Sequence, residues 1–125
     1  MVYAPQVANW VRSLAALHDD DLDDQWTKGH QATLRYGSAL PPTVERVAKP
    51  IVGSSVPMTE IRVQGTVGGL WRAWRVLCIH HDDDTTIIAA VAGDKNDRPD
   101  WYERAIAEAH NVYAQWRQQH ERKDG

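Results

Sequence analysis

The sequence lacks phenylalanine, has a single cysteine and contains no long apolar segment. Because Cys78 is alone, it can form neither an internal disulfide nor a thiolate metal site, which argues against redox chemistry. Its neighbour Val76 on the same predicted strand face indicates a small core position. No apolar run is long enough to cross a bilayer, and residues 1–5 lack the basic start and apolar core of a secretory signal. We therefore expect a cytoplasmic protein with no membrane partner.

An excess of positive charge is also missing. The chain has 14 Lys and Arg against 17 Asp and Glu, a formal net charge of −3 and a pI of about 6.0. Proteins that bind nucleic acid over a wide surface normally carry an excess of basic residues. Eight of the carboxylates lie in two short runs, residues 19–24 and 82–84, so the remainder is mildly basic. The composition argues against whole-surface attraction to RNA and leaves a local basic site open.

The overall composition is that of a globular protein. Hydrophobic residues make up 42% of the 125 residues, and six tryptophans are available for a core. A chain of this length buries one modest core. We expect one domain over residues 1–125, of which 118–125 form a polar tail.

Helical periodicity dominates the first third of the chain. Apolar residues at helical spacing predict one helix over residues 5–17 and a second over 21–36, which ends at Gly37. The two are expected to fold into a helical hairpin. A long connection rich in proline and glycine follows, with a short helical turn predicted at 44–48.

After Pro57 the period changes to two. Alternation predicts a strand with Glu60 on its wet face, a hairpin turn at Gly68 and Gly69, and a returning strand over 72–81. A turn at 82–84 leads to a third strand over 86–92, apolar on both faces, and a last helix starts near residue 100. This order predicts an α+β fold with a small antiparallel sheet of three to four strands and a C-terminal helix.

Four short motifs follow one another along this predicted sheet. They are MTEIRV at 58–63, WRVL at 74–77, AGDK at 92–95 and the pair Trp101 and Tyr102. Their order and spacing resemble the RelE/ParE superfamily of toxins, especially its phage-derived, HigB-like branch. The resemblance extends from about Val7 to Trp116 and implies a RelE-like fold. Many members begin with a strand, for which this chain offers at most a stub at Val2–Tyr3.

The resemblance implies a toxin of a type II toxin–antitoxin system. Such a toxin cleaves messenger RNA on the ribosome, inhibits translation, and is neutralised by a separate antitoxin, here expected to be a helix-turn-helix protein. The reaction uses the ribose 2′-hydroxyl as nucleophile and yields a cyclic phosphate, so it requires proton transfer and cations but neither metal nor other cofactor.

The same resemblance assigns the catalytic residues. Arg75 would hold the phosphate, Lys95 would stabilise the leaving oxygen, and Tyr102 would stack on the substrate or exchange a proton with it. His81 lies on the predicted face of Arg75 and is the histidine candidate for a general acid or base. A purely structural role stays open for three of these residues: a salt bridge for Arg75, a solvated loop position for Lys95, and burial in the core for Tyr102.

Four further residues are candidates for RNA binding. Arg62 points to the polar face of its strand, where simple charge alternation explains it nearly as well. Trp101 offers a stacking plane for an unpaired base. The other two candidates are Arg72 and Arg98.

The same residues leave two other functions open and include possible metal ligands. The fold is also compatible with a ParE-like inhibitor of DNA gyrase, or with an inert, phage-derived interaction module that lacks activity. The run from His80 to Asp84 contains good metal ligands, but neighbouring strand residues point to opposite faces, so we expect no metal site. The sequence specifies no oligomeric state.

Overall fold

A computed structural model describes residues 1–82 and 85–124, with side chains as far as His120. The elements are β1 (Val2–Tyr3), α1 (Pro5–Ala16), α2 (Asp20–Tyr36), a 3-10 turn (Pro42–Val44), β2 (Ala48–Pro50), β3 (Met58–Val67), β4 (Leu70–His81), β5 (Thr86–Asp94) and α3 (Trp101–Asp124). The strands form one five-stranded sheet in the order β1-β5-β4-β3-β2. The predicted α+β class, with two N-terminal helices, a sheet and a C-terminal helix, is confirmed.

The sheet differs from the prediction in both of its outer strands. The stub at Val2–Tyr3 is a strand that pairs parallel with β5, so the sheet is mixed and not purely antiparallel. At the other edge, β2 was not predicted, and it pairs with residues 59–61 of β3. The helical turn predicted at 44–48 is instead a 3-10 turn at Pro42–Val44. Both strands have only two or three residues. Their pairing partners are distant in sequence, so local periodicity gives no signal for them.

The C-terminal helix is longer than predicted. The expected polar tail at 118–125 is helical as far as Asp124, while Gly125 lies outside the described residues. The tail consists of residue types that tolerate a helix well. His120 also stacks on Trp116, with ring centroids 4.2 Å apart, which links the first residues of the tail to the preceding turn. The predicted turn at 82–84 is described only at Asp82.

The predicted hairpin between β3 and β4 is confirmed. Gly68 and Gly69 connect the two strands with φ angles of 58° and 81°. Two successive positive φ values match a two-residue turn whose twist suits the flanking strands, and glycine adopts them without steric cost. The pairing that follows sets Arg62 opposite Arg75.

Helices cover the two faces of the sheet. Val7 and Leu14 of α1 and Leu22 of α2 pack on one face, against residues that include Ile61 and Val76. The core of this face includes Cys78, as predicted, and burial raises the pKa of its thiol to about 12. None of the helices in the described residues is long and apolar enough to cross a membrane.

On the opposite face, α3 covers only part of the sheet. Ala105 and Ala109 pack against apolar residues such as Leu77 and Ile79 in the second half of β4. Toward the hairpin, the same face changes to polar side chains. We call this region the polar half-face; it is formed by Glu60, Arg62 and Gln64 of β3 with Arg75 of β4.

Glutamines from the two N-terminal helices close the edges of the sheet where the short outer strands end. Gln25 of α2 accepts from the backbone N–H of Gln64 at 2.8 Å and donates to its carbonyl at 2.9 Å. Gln6 of α1 makes the same pair of bonds with Ala92 of β5, at 3.2 and 2.7 Å. Each side-chain amide thus replaces the peptide group of a missing neighbouring strand.

The loss of such an amide should weaken the fold. We expect Gln25→Ala to lower the free energy of unfolding by about 1–3 kcal/mol, because two part-buried backbone groups of Gln64 lose their partners. Gln31→Ala, at an exposed position of the same helix, is the matched control and should change stability little. Urea unfolding of both variants measures the difference, and equal stabilities would contradict the bracing role of Gln25.

Candidate active site

The polar half-face is organised around the carboxylate of Glu60, which is 5% exposed. The hydroxyl of Tyr102, at the start of α3, donates to Glu60 Oε2 at 2.6 Å. The other oxygen, Oε1, lies 3.6 Å from Nε of Arg62 and 3.9 Å from Nε of Arg75. We refer to Glu60, Arg62, Arg75 and Tyr102 as the Glu60 cluster.

Strand alternation and register bring these residues together. Glu60 and Arg62 lie on one face of β3 because they are two residues apart, and the register sets Arg62 opposite Arg75. On the next strand, Gly93 lies opposite Arg75. A Cβ atom on Gly93 would come within 2.8 Å of Nε1 of Trp101, so a larger residue would push Trp101 away. The glycine lets α3 begin close to the sheet, which places Tyr102 beside Glu60.

Arg75 is the most deeply placed cation of the cluster. It is 1% exposed, and its guanidinium donates to the carbonyl of Trp74 at 2.9 Å and to Oε1 of Gln64 at 3.2 Å. Arg62 is more accessible, with 24% of its side chain exposed, and it donates to the carbonyl of Glu45 at 3.2 Å. An anion that approaches the free protein therefore meets Arg62 before Arg75.

The environment of Tyr102 fixes its protonation state. Burial raises the pKa of its phenol to about 12, helped by the hydrogen bond to Glu60 and by the negative charge of that carboxylate, while Arg75 acts in the opposite direction. The phenol is consequently protonated at neutral pH. It can serve as a hydrogen-bond donor or as an acid, but not as a base.

The structure brings together four of the residues predicted for the site. Arg62, Arg75 and Tyr102 belong to the Glu60 cluster, and Trp101 lies over Gly93 next to it. Lys95 lies two residues beyond Gly93. Its backbone N–H donates to the carbonyl of Ala73 in β4, at a distance of 3.0 Å. It is therefore a neighbour of the cluster.

The other predicted RNA contacts lie outside the cluster. Arg72 is three residues from Arg75 along β4, so its side chain projects from the opposite face of the sheet. There it forms an ion pair with Asp94 at 3.7 Å. Arg98 is exposed in the turn before α3.

His81 shares the face of Arg75 but lies at the far end of β4. The two are six residues apart, which corresponds to about 20 Å along a strand. A 2.6 Å hydrogen bond joins Nδ1 of His81 to the hydroxyl of Tyr113 in α3, and its ring meets that of Trp116 edge to face. The structure therefore does not bring His81 to Arg75, and proton transfer at the cluster has to come from other groups.

The two adjacent histidines point to opposite faces, as predicted. His80 lies in the interior, with Nε2 at 2.8 Å from the hydroxyl of Thr59. Within the described ranges, no three His, Cys, Asp or Glu side chains are close enough to hold a metal ion.

Glu60 was not singled out from the sequence. It was interpreted as part of a wet strand face, whereas it is the buried centre of the cluster. A signal was available: Glu60 is two residues from Arg62 and belongs to the predicted face that carries Arg75. A carboxylate placed between cations on a half-covered face is a candidate for proton transfer.

Comparison with known proteins adds no relative. No family model matches the chain, and neither a curated protein nor a solved structure shows significant similarity to it. Function is therefore inferred from the Glu60 cluster and from the order of the short motifs.

The ionisation of Tyr102 tests the geometry of the cluster. An absorbance titration should show its phenol ionising near pH 12, with Tyr102→Phe used to identify the transition. Glu60→Gln removes the neighbouring negative charge but leaves the ring half-buried, so the pKa should fall and still exceed 10. Because the folded pKa lies above the unfolded value of 10, the stabilisation from this group should disappear between about pH 10 and pH 12. A wild-type pKa near 10 would contradict the contact with Glu60.

Proposed function

We propose that this chain is the toxin of a type II toxin–antitoxin system, an endoribonuclease that cleaves messenger RNA on the ribosome in the cytoplasm and so inhibits translation. The Glu60 cluster carries the proposal. It combines a carboxylate, two guanidinium groups and a protonated phenol at the start of α3, where the side chain of Arg62 reaches solvent. These groups can move protons and stabilise a phosphate, which is what metal-independent RNA cleavage requires. The RelE-like order of motifs supports the same function.

Glu60 is the proposed general base. Its Oε1 lies 3.6 and 3.9 Å from the arginine nitrogens, distances of ion pairs and not of hydrogen bonds, so this oxygen can still accept a proton. Glu60 takes the proton of the ribose 2′-hydroxyl as the 2′-oxygen bonds to phosphorus. The bond from phosphorus to the 5′-oxygen then breaks, which leaves a 2′,3′-cyclic phosphate and a 5′-hydroxyl end.

Tyr102 and Lys95 are the proposed groups at the leaving oxygen. The phenol of Tyr102 is protonated at neutral pH and lies 2.6 Å from Glu60, so acid and base lie side by side. Its proton can pass to the 5′-oxygen, and the proton held by Glu60 can then restore the phenol. Lys95, at the neighbouring strand end, would add positive charge near the departing oxygen.

The two arginines are the proposed phosphate ligands. With Glu60 ionised, the cluster has one positive charge in excess, although the whole chain carries −3. Arg62 is exposed enough to meet the phosphate first. Arg75 is covered, so its contact with the phosphate requires Tyr102 and Gln64 to move when RNA binds. A guanidinium can then hold two phosphate oxygens at once.

The partners follow from the same proposal. The ribosome would present the messenger RNA, and a separate antitoxin, a helix-turn-helix protein, would neutralise the toxin.

Inducible expression followed by mapping of RNA 5′ ends tests this function. Wild-type protein should arrest growth and produce cuts within translated frames. Glu60→Gln should reduce cleavage by about 10²–10⁴-fold, the usual contribution of a general base. Glu103→Gln, at an exposed position of α3 one residue after Tyr102, is the matched control and should cleave normally.

A second variant separates chemistry from folding. Glu60→Gln removes the counter-charge of buried Arg75, so its thermal unfolding has to be recorded as well. Tyr102→Phe keeps all three charges and should also lower cleavage. Normal cleavage by both folded variants would overturn the assignment of the site. Intact messenger RNA with DNA damage would identify a gyrase inhibitor, and normal growth an inert module.

A further inference from the structure

A groove of about 860 Å³ lies beside the Glu60 cluster, between α2, the segment 43–47 and the hairpin end of β3. Arg62 and Gln64 line it and also belong to the polar half-face. The groove is thus continuous with the proposed cleavage site. Its volume is in the range of sites that hold small organic ligands.

The groove is more basic than the rest of the protein. Its charged lining residues are Lys28, Arg35, Arg46, Arg62, Asp21 and Asp24. Asp24 is already paired with Lys28 at 2.8 Å. Arg35 and Arg46 form no ion pair within the described part of the chain, so two cations are available to an anion.

An exposed aromatic ring lies at one end of this groove. Trp71 of β4 is 58% exposed although it is large and apolar. Packing in the core does not explain why Trp71 is a tryptophan, since the other tryptophans are partly buried and Trp71 is exposed. At the other end, Arg35 stacks over the ring of Tyr36, with its guanidinium carbon 5.3 Å from the ring centroid. Flat rings between cations are the usual elements of a single-stranded nucleic acid site.

We infer that this groove binds the single-stranded RNA next to the scissile phosphate, with one base stacked on Trp71 and backbone phosphates held by Arg46 and Arg35. The inference rests on the proposed function and adds the path that the substrate strand takes across the protein. Arg62 connects the two regions, because it lines the groove and pairs with Glu60 at 3.6 Å. An acidic peptide could use the cations, but its binding would not depend on a ring that stacks on Trp71.

Binding of a non-cleavable strand tests this inference without any cleavage. A fluorescent 2′-O-methyl RNA oligonucleotide lacks the attacking hydroxyl, and its anisotropy reports binding to the purified full-length protein. Trp71→Ala should weaken binding about tenfold or more, the usual effect of losing one stacked base. Arg46→Ala should weaken binding and reduce the slope of log affinity against log salt concentration by about 0.7.

Two exposed residues outside the groove provide matched controls. Leu70 precedes Trp71 on β4, is also 58% exposed, and points to the opposite face, so Leu70→Ala should bind as wild type. Arg12→Ala removes an equal charge from α1 and should also bind as wild type.

The outcomes separate this inference from the proposed function. Wild-type protein that fails to bind the oligonucleotide, or binding unchanged in both Trp71→Ala and Arg46→Ala, would overturn the inference even if messenger RNA is cleaved. Loss of binding in both variants, with messenger RNA left intact by the wild type, would support the groove and overturn the nuclease. Arg46→Ala weakening binding while Trp71→Ala does not would also overturn the inference, because an acidic peptide site would give that result.

Discussion

The burial of the Glu60 carboxylate determines how the polar half-face is arranged. A charged side chain taken out of water costs several kcal/mol unless nearby groups compensate it. Arg75, which is 1% exposed, could not be buried there without Glu60, and Glu60 in turn depends on the hydroxyl of Tyr102 and on Arg62. Each member keeps another in place, so the cluster is a mutually dependent set. The loss of Glu60 would leave the guanidinium of Arg75 buried without its counter-charge.

The fold keeps this cluster close to solvent without exposing it. α3 starts at Trp101 directly over Gly93 and then runs away from the hairpin, so its length buries the apolar half of the face, and only its first residues cover the polar half, where Arg62 stays partly exposed. The polar half-face would lack backbone partners at its edge, where β2 has already ended. Gln25 of α2 supplies the missing hydrogen bonds there, to the backbone of Gln64, two residues from Arg62.

Much of this architecture could be predicted from the sequence. The helices, the glycine turn at 68 and 69, and the central strands follow from local periodicity, which is why their predicted bounds are close to those observed. The two outer strands could not be predicted, because their stability comes from pairing with residues far along the chain. His81 illustrates the same limit: alternation placed it on the right face, but not near Arg75. Glu60 was missed because alternation distinguishes two faces and does not show where a helix covers one of them.

In the proposed function, Glu60 activates a ribose 2′-hydroxyl. The most direct measurement is the chemical nature of RNA ends produced by purified protein on translating ribosomes. This role of Glu60 predicts 5′-hydroxyl and 2′,3′-cyclic phosphate ends within the reading frame, strongly reduced for Glu60→Gln and absent for a messenger with 2′-deoxyribose at the cut position. Cleavage that persists with the deoxyribose substitution, or ends carrying a 5′-phosphate, would contradict it.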